Sequence, residues 1–227
     1  VIGKIDMLMP YEKLQICEEF NHTQYDFDLE KTLMDVFEEQ VKKEPHKVAL
    51  VFENKKITYQ KLDELSNMVA YSLIKKNIKP GEIVAIKMPR SASIPIAMLG
   101  ILKAGAAYLL IDPELPEDRI HDMLQITNCV YMLTSIPDIR YSEIPKDFSP
   151  VFVKNTNPLS VVFTSGSTGT PKGTLLHRRG MLNLVYAYAE RMHVKEFNHF
   201  ASICAVSFDM FAVEIFVPLL NGKTLYL

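Results

Sequence analysis

Ten consecutive residues, Thr164-Ser165-Gly166-Ser167-Thr168-Gly169-Thr170-Pro171-Lys172-Gly173, hold the densest chemistry in the chain. The glycines, among them Gly166 and Gly169, let backbone N–H groups approach an anion closely and turn through positive φ. The hydroxyls of Thr164, Ser165, Ser167 and Thr168 add donors for phosphate oxygens, and Lys172 adds a positive charge. Together they suit a polyphosphate. The string follows an apolar run, Val161-Val162-Phe163, that reads as a strand. In open α/β sheets, ligands bind just beyond the C-terminal ends of strands. The Walker pattern does not fit: counted from Gly166, the residue where it needs its second glycine is Pro171. The dinucleotide fingerprint GxGxxG is missing too. On composition alone, an ordinary loop with no ligand is the competing reading.

The surrounding sequence must hold that string in place. Residues up to about 28 are mixed and polar, with one short helix expected after Pro10. Thr32 is placed to cap a helix whose Leu33, Phe37 and Val41 recur every fourth residue, with Asp35 in its first turn. A buried strand over 48–52 leads through Glu53-Asn54-Lys55 into a second short strand. Thr58 then caps a helix that puts Leu62, Leu65, Val69, Ala70 and Leu73 on one face. Strands are expected over 83–88, 107–111, 129–133, 160–163, 200–203 and 223–227. Helices are expected around 94–102, 116–126, 181–192 and 209–220, with Gly105 ending the first of these. Strands alternating with helices of this length predict an α/β fold of mostly parallel sheets flanked by helices. The last strand, 223–227, is expected to leave an exposed apolar edge.

Bulk properties narrow the function. The apolar fraction is 48% and the net charge is -2, so the chain can bury a core and is not disordered. The balance of 25 basic and 27 acidic residues makes no broad field for nucleic acid. No apolar stretch is long enough to span a membrane. Cys17, Cys129 and Cys204 form no CxxC pair and the six histidines are scattered, so neither a disulfide framework nor a metal site is expected. A reducing, cytoplasmic compartment fits best. The chain begins at Val1 without Met and shows no signal peptide, which suggests a piece cut from something longer.

The glycine-rich string resembles the signature loop of adenylate-forming enzymes: acyl-CoA synthetases, luciferases and the adenylation domains of nonribosomal peptide synthetases. Further segments resemble the last group in particular. These are Ile57-Thr58-Tyr59-Gln60-Lys61-Leu62, the run from Leu102 through Gly105 and Tyr108 to Asp112-Pro113, and Phe208-Asp209 with Glu214-Ile215-Phe216. The early Glu19-Phe20-Asn21-His22-Thr23 is similar to the stretch that joins a condensation domain to an adenylation domain. On this resemblance, residues 1–28 form a junction-like segment. Residues 29–227 form an incomplete N-terminal portion of the adenylation core.

The resemblance implies that an amino acid and MgATP give an aminoacyl-adenylate and pyrophosphate. The acyl group then passes to the phosphopantetheine thiol of a peptidyl carrier domain, with a condensation domain in the same or a partner chain. Thr164, Ser165, Gly166, Ser167, Thr168, Gly169 and Lys172 would hold the ATP phosphates. Asp209 would pair with the substrate's α-ammonium, since a carboxylate in an apolar pocket is costly unless a cation meets it. The competing role for Asp209 is to cap the helix it opens. Met210 and Val213 would line the side-chain pocket, although Val213 reads equally well as a core residue. The 102–113 run is read as structural.

Departures from the family pattern are specific. Arg178-Arg179-Gly180 stands where His-Arg-Gly is common, Ser167 where Thr is frequent, and Met210 and Phe211 where residues are usually small, which is expected to narrow the pocket. No catalytic residue, catalytic lysine included, and no metal ligand is expected within these residues. The chain alone is therefore expected to form no adenylate. An acyl-CoA synthetase or carrier-protein ligase outside peptide synthesis, and a non-catalytic docking relative, are the alternative functions.

Overall fold

The computed structural model describes residues 7–24, 27–28, 30–139, 141–164 and 172–227. At the start, Pro10 fixes the first residue of a short helix, α1 (Pro10–Leu14), and the Met9 N–H donates to the Glu12 carboxylate at 2.8 Å. A π turn over Gln15–Glu19 continues it, and neither piece buries a residue.

The core begins with α2 (Leu33–Lys43). Its cap is reciprocal: the Thr32 hydroxyl accepts from the Asp35 N–H at 3.2 Å, while the Asp35 carboxylate accepts from the Thr32 N–H at 2.7 Å. β1 (Val48–Phe52) and β2 (Lys55–Thr58) form a hairpin whose tip carries Glu53 at φ 52°. The Thr58 hydroxyl accepts from Lys61 N–H at 3.2 Å and starts α3 (Tyr59–Lys75). Then come β3 (Ile83–Lys87), α4 (Ser93–Lys103), β4 (Ala107–Ile111), α5 (Glu117–Ile126) and β5 (Tyr131–Leu133). β6 (Pro158–Thr164), β7 (Lys172–His177), α6 (Arg178–Arg191), β8 (His199–Ala201), α7 (Asp209–Leu220) and β9 (Thr224–Tyr226) complete the order.

Two sheets result. The larger runs β5-β3-β4-β6-β7 and is parallel except for the antiparallel β6–β7 pair. The smaller runs β2-β1-β9-β8 and is parallel except for the β1–β2 hairpin. The expected α/β architecture of mostly parallel sheets and flanking helices is therefore present. α4 and α7 are buried around most of their circumference and form the centre of the core.

Three expectations are corrected. The strand at 223–227 is no exposed edge: β9 is paired with β1 on one side and β8 on the other, and Leu225 is fully buried. Its partner β1 lies more than a hundred residues upstream, a pairing that no local pattern reveals. Residues 173–176, read from the sequence only as a short segment after the glycine-rich string, belong to a six-residue strand that folds back on β6 as a hairpin. The strand expected over 129–133 starts later: after the left-handed Asn128 the Cys129 N–H turns back to the Leu124 carbonyl at 3.0 Å, and the Val130 N–H donates to the Ile83 carbonyl of β3 at 3.0 Å just before β5 begins.

The 102–113 run, expected to be structural, is largely buried and carries a buried charge. Lys103 Nζ donates to Asp63 Oδ1 at 2.6 Å and to Asn67 Oδ1 at 2.7 Å, pinning α4 to α3. Burial pulls the Lys103 pKa down, and the Asp63 carboxylate opposes that fall. Gly100 permits the close contact of the two helices. A Cβ there would sit 2.4 Å from Val69 Cβ and 2.8 Å from the Ser66 carbonyl oxygen.

Candidate functional site

A cavity of about 460 Å³ opens at the C-terminal end of β6. One wall is β6 itself, from Ser160 to Thr164; Tyr108 and Leu110 of β4 lie beside it. Arg119 and Met123 of α5 form a second wall. The third is the segment entering α7: Val206, Ser207, Phe208 and Asp209, with Ala212 one turn further. Thr164 and Asp209, singled out separately in the sequence, thus line one space.

Thr164 is the last residue of β6 and pairs across the hairpin with Lys172, the first residue of β7. Both are exposed. Ser165, Gly166, Ser167, Thr168 and Gly169, the remaining candidate phosphate ligands, lie outside the described residues. Of the flanks, Thr164 ends β6, which pairs in parallel with β4, and Lys172 begins the antiparallel β7.

Asp209 is exposed and occupies the first turn of α7. It is not the cap: Phe208 takes that position, extended at φ −86° and ψ 147°, with no side-chain hydrogen bond. Asp209 Oδ1 accepts from the adjacent Met210 N–H at 2.7 Å. That satisfies one orphan donor of the helix start and leaves Oδ2 unused by any described hydrogen bond. Met210 is 38% exposed and Val213 is buried, and neither lines the cavity. Phe211 is fully buried in the core, so its bulk does not narrow the cavity.

Beneath the cavity, the hydroxyls of Tyr108 and Ser160 are buried against each other without a well-formed hydrogen bond or another partner among the described residues. Burial pushes the Tyr108 phenol far above its ordinary value, while Ser160 and the Arg178 charge draw it partly back. Arg178, the departure from His-Arg-Gly, is 1% exposed. Its guanidinium donates to the carbonyls of Leu102 at 3.1 Å, Ala106 at 2.9 Å and Pro158 at 3.2 Å. Burial pulls its pKa down to about 10.

Sequence reasoning gave no role to the residues that hold the segment leading into the third wall. Arg90, in the turn after β3, and Glu214, on α7, both grip the segment that follows β8. A signal was available for Glu214: within Asp209–Leu220 it is the lone charge after Asp209 in an otherwise apolar helix. Arg90 carried no such signal, because its target is more than a hundred residues away.

Among the described residues, no group of three or more His, Cys, Asp or Glu is placed to hold a metal ion. No helix among them is long and apolar enough to cross a membrane.

Comparison with known proteins places this geometry. The profile of the "AMP-binding enzyme" family matches residues 37–149 and 137–227. A dimodular nonribosomal peptide synthase of Bacillus subtilis (strain 168) is 35% identical over 98% of this chain, which spans only 10% of that relative. The N-terminal subdomain of NpsA from Klebsiella oxytoca, solved with 3-hydroxyanthranilyl-AMSN, superposes with a TM-score of 0.77. It is 29% identical, over 86% of this chain and 53% of that one. NpsA-ThdA, an artificially fused adenylation–PCP di-domain from the same organism, gives 0.78 at 29% identity over 89% of this chain and 43% of that one. With both sheets and the cavity inside the matched residues, the chain belongs to the AMP-binding enzyme family.

Proposed function

We propose that this chain is the ATP-facing N-terminal part of an adenylation domain that activates an amino acid for nonribosomal peptide synthesis. In that reading residues 1–28 are the junction to a preceding domain and residues 29–227 belong to the adenylation core. The whole protein works in the cytoplasm, beside carrier and condensation domains. The likeness to peptide synthetases and to an adenylation–carrier fusion supports this setting.

One observation carries the reading: Thr164, at the mouth of the glycine-rich string, and Asp209 line the same cavity. The arrangement separates two tasks. MgATP supplies the electrophilic α-phosphorus when bound. Thr164 lines the cavity and the exposed Lys172 pairs with it across the hairpin; with the hydroxyls and amides of 165–169 they suit phosphate oxygens. Donors fixed there stabilise charge as it builds on the pyrophosphate side. Asp209, at the far wall, offers its free carboxylate oxygen to the substrate's α-ammonium. That pairing orients the substrate carboxylate toward phosphorus, the positioning on which such a reaction depends.

The test is amino-acid-dependent ATP–pyrophosphate exchange by the intact protein. Wild type is expected to exchange with a small set of amino acids. Asp209→Asn should lower kcat/KM for the amino acid by about 10- to 100-fold, the loss of a charge-assisted hydrogen bond. Exchange stimulated equally by acids lacking an amino group, or an Asp209→Asn protein that behaves as wild type, removes the reading.

A further inference from the structure

We infer that Arg90, Ser202 and Glu214 form a clamp that sets the position of Asp209, and that they are positioning residues for the substrate's ammonium group. This rests on the function proposed above and adds the device that fixes its key carboxylate.

The need for such a device is visible in the burial. Between β8 and α7 the chain crosses from the small sheet to the cavity through residues 202–208. Apolar burial holds this segment only in part: Cys204 and Val206 touch the core, but Ile203 is 85% exposed and Phe208 64% exposed. A loop with so little buried surface opens easily unless something else fixes it.

Polar bonds do so here. Arg90 Nη1 donates to the Cys204 carbonyl at 2.6 Å, and Nη2 donates to both the carbonyl and the hydroxyl of Ser202. From the opposite side, Glu214 Oε2 accepts from the Ile203 N–H and the Cys204 N–H, each at 3.1 Å, and from the Ser202 hydroxyl at 2.7 Å. Ser202 fits between them because its hydroxyl accepts from Arg90 and spends its one proton on Glu214. The segment's carbonyls are therefore held by a cation and its N–H groups by an anion, all through charge-assisted bonds.

The two anchors come from different parts of the fold. Arg90 follows β3 of the large sheet, whereas the segment leaves β8 of the small one. Glu214 lies on the helix that Asp209 opens. The constraint passes along the chain by Phe208 N–H donating to the Ala205 carbonyl at 3.0 Å and Phe211 N–H to the Phe208 carbonyl at 3.1 Å. The Arg90 guanidinium also sits 5.4 Å from the Phe211 ring centre, next to the first turn of α7. Asp209 is thus referenced to both sheets.

The experiment is steady-state ATP–pyrophosphate exchange by the intact protein, with KM measured separately for the amino acid and for ATP. Glu214→Gln keeps the shape but puts an amide donor against backbone N–H groups; Ser202→Ala removes the shared hydroxyl alone. Each is expected to raise KM for the amino acid about tenfold, the value of one charge-assisted bond, and to leave KM for ATP within about twofold. Equal rises in both KM values, a fall in kcat with both KM values unchanged, or wild-type behaviour of a folded variant overturns the clamp. Should Glu214→Gln fail to fold, the same KM values measured on Ser202→Ala decide between these outcomes. Absence of exchange in the wild type is a different result: it removes the functional reading, and this inference with it.

Discussion

Among the described residues, two arginines, Arg178 and Arg90, bind backbone carbonyls in different surroundings. Arg178 is 1% exposed and ties together the carbonyls of Leu102, Ala106 and Pro158. These belong to the end of α4, the entry to β4 and the start of β6, so the residue joins elements of the fold to one another. Arg90 is half-buried and grips the buried Ser202 and the half-buried Cys204, in the segment that runs on to the rim of the cavity. It joins a loop to the fold. The fork geometry of guanidinium serves both, but what depends on each differs. Inside, the bonds replace the water that buried carbonyls have lost. Toward the rim, the bonds hold a stretch of chain that the core grips only in part, and the gain is the place of one carboxylate.

The sharpest way to break that contrast is to remove each arginine. Arg178→Ala leaves orphaned carbonyls and a large void, and should cost about 3–5 kcal/mol of folding stability, read by urea unfolding. Arg90→Ala should cost less, about 1–2 kcal/mol, because water can fill the space that a half-buried side chain leaves and meet the freed carbonyls there. Equal losses would show that the rim clamp belongs to the fold after all.

The interior region is also the less tolerant of added volume. Gly100→Ala puts a methyl 2.4 Å from Val69 Cβ and 2.8 Å from the Ser66 carbonyl oxygen, a backbone atom on a packed helix. The expected cost is about 1–3 kcal/mol, measured as a fall in the urea midpoint at unchanged slope. The α3–α4 contact also holds the buried Lys103–Asp63 pair, so the strain falls where an ion pair depends on close approach.

Much of this was legible in the sequence, and the boundary has a physical cause. Local signals worked: Thr32 and Thr58 cap the helices they were expected to cap, and Gly105 ends α4 at φ 82°. The strand before the glycine-rich string and the helix opened by Asp209 were also readable, so both ends of the cavity had been named. What stayed hidden was everything fixed by pairing distant parts of the chain. β9 reads as a terminal edge until β1 and β8 close on it. The Phe211 side chain reads as pocket-narrowing by its place in a motif, yet helix rotation turns it into the core. Arg90 reads as an ordinary turn residue because nothing near it in sequence shows what it holds.

At the rim, the contrast between position and stability can be sharpened with one conservative change. Arg90→Lys keeps the charge but reaches one acceptor where the guanidinium fork reaches several. Its melting temperature should stay within about 2 °C of wild type, the shift that roughly 0.5 kcal/mol gives for a domain of this size. Its KM for the amino acid should still rise severalfold. A lysine that restores both would mean that charge alone, without the fork, is enough to hold the segment.

The smallest expected effect concerns protonation of the clamp's other jaw. Burial raises the Glu214 pKa, but donors from Ser202, Cys204 and Ile203 outweigh it and bring the folded-state value below the ordinary 4.5. A depressed carboxylate contributes stability that is fully present above its unfolded value and is lost as pH falls through the folded one. The stability gap between wild type and Glu214→Gln should therefore be constant from neutral pH down to about pH 5 and close below about pH 4. Melting curves at stepped pH read it directly. A gap that widens in acid would mean that the carboxylate is already protonated in the native state, and the Ile203 and Cys204 N–H groups would then be held by a neutral acid too weak to place Asp209.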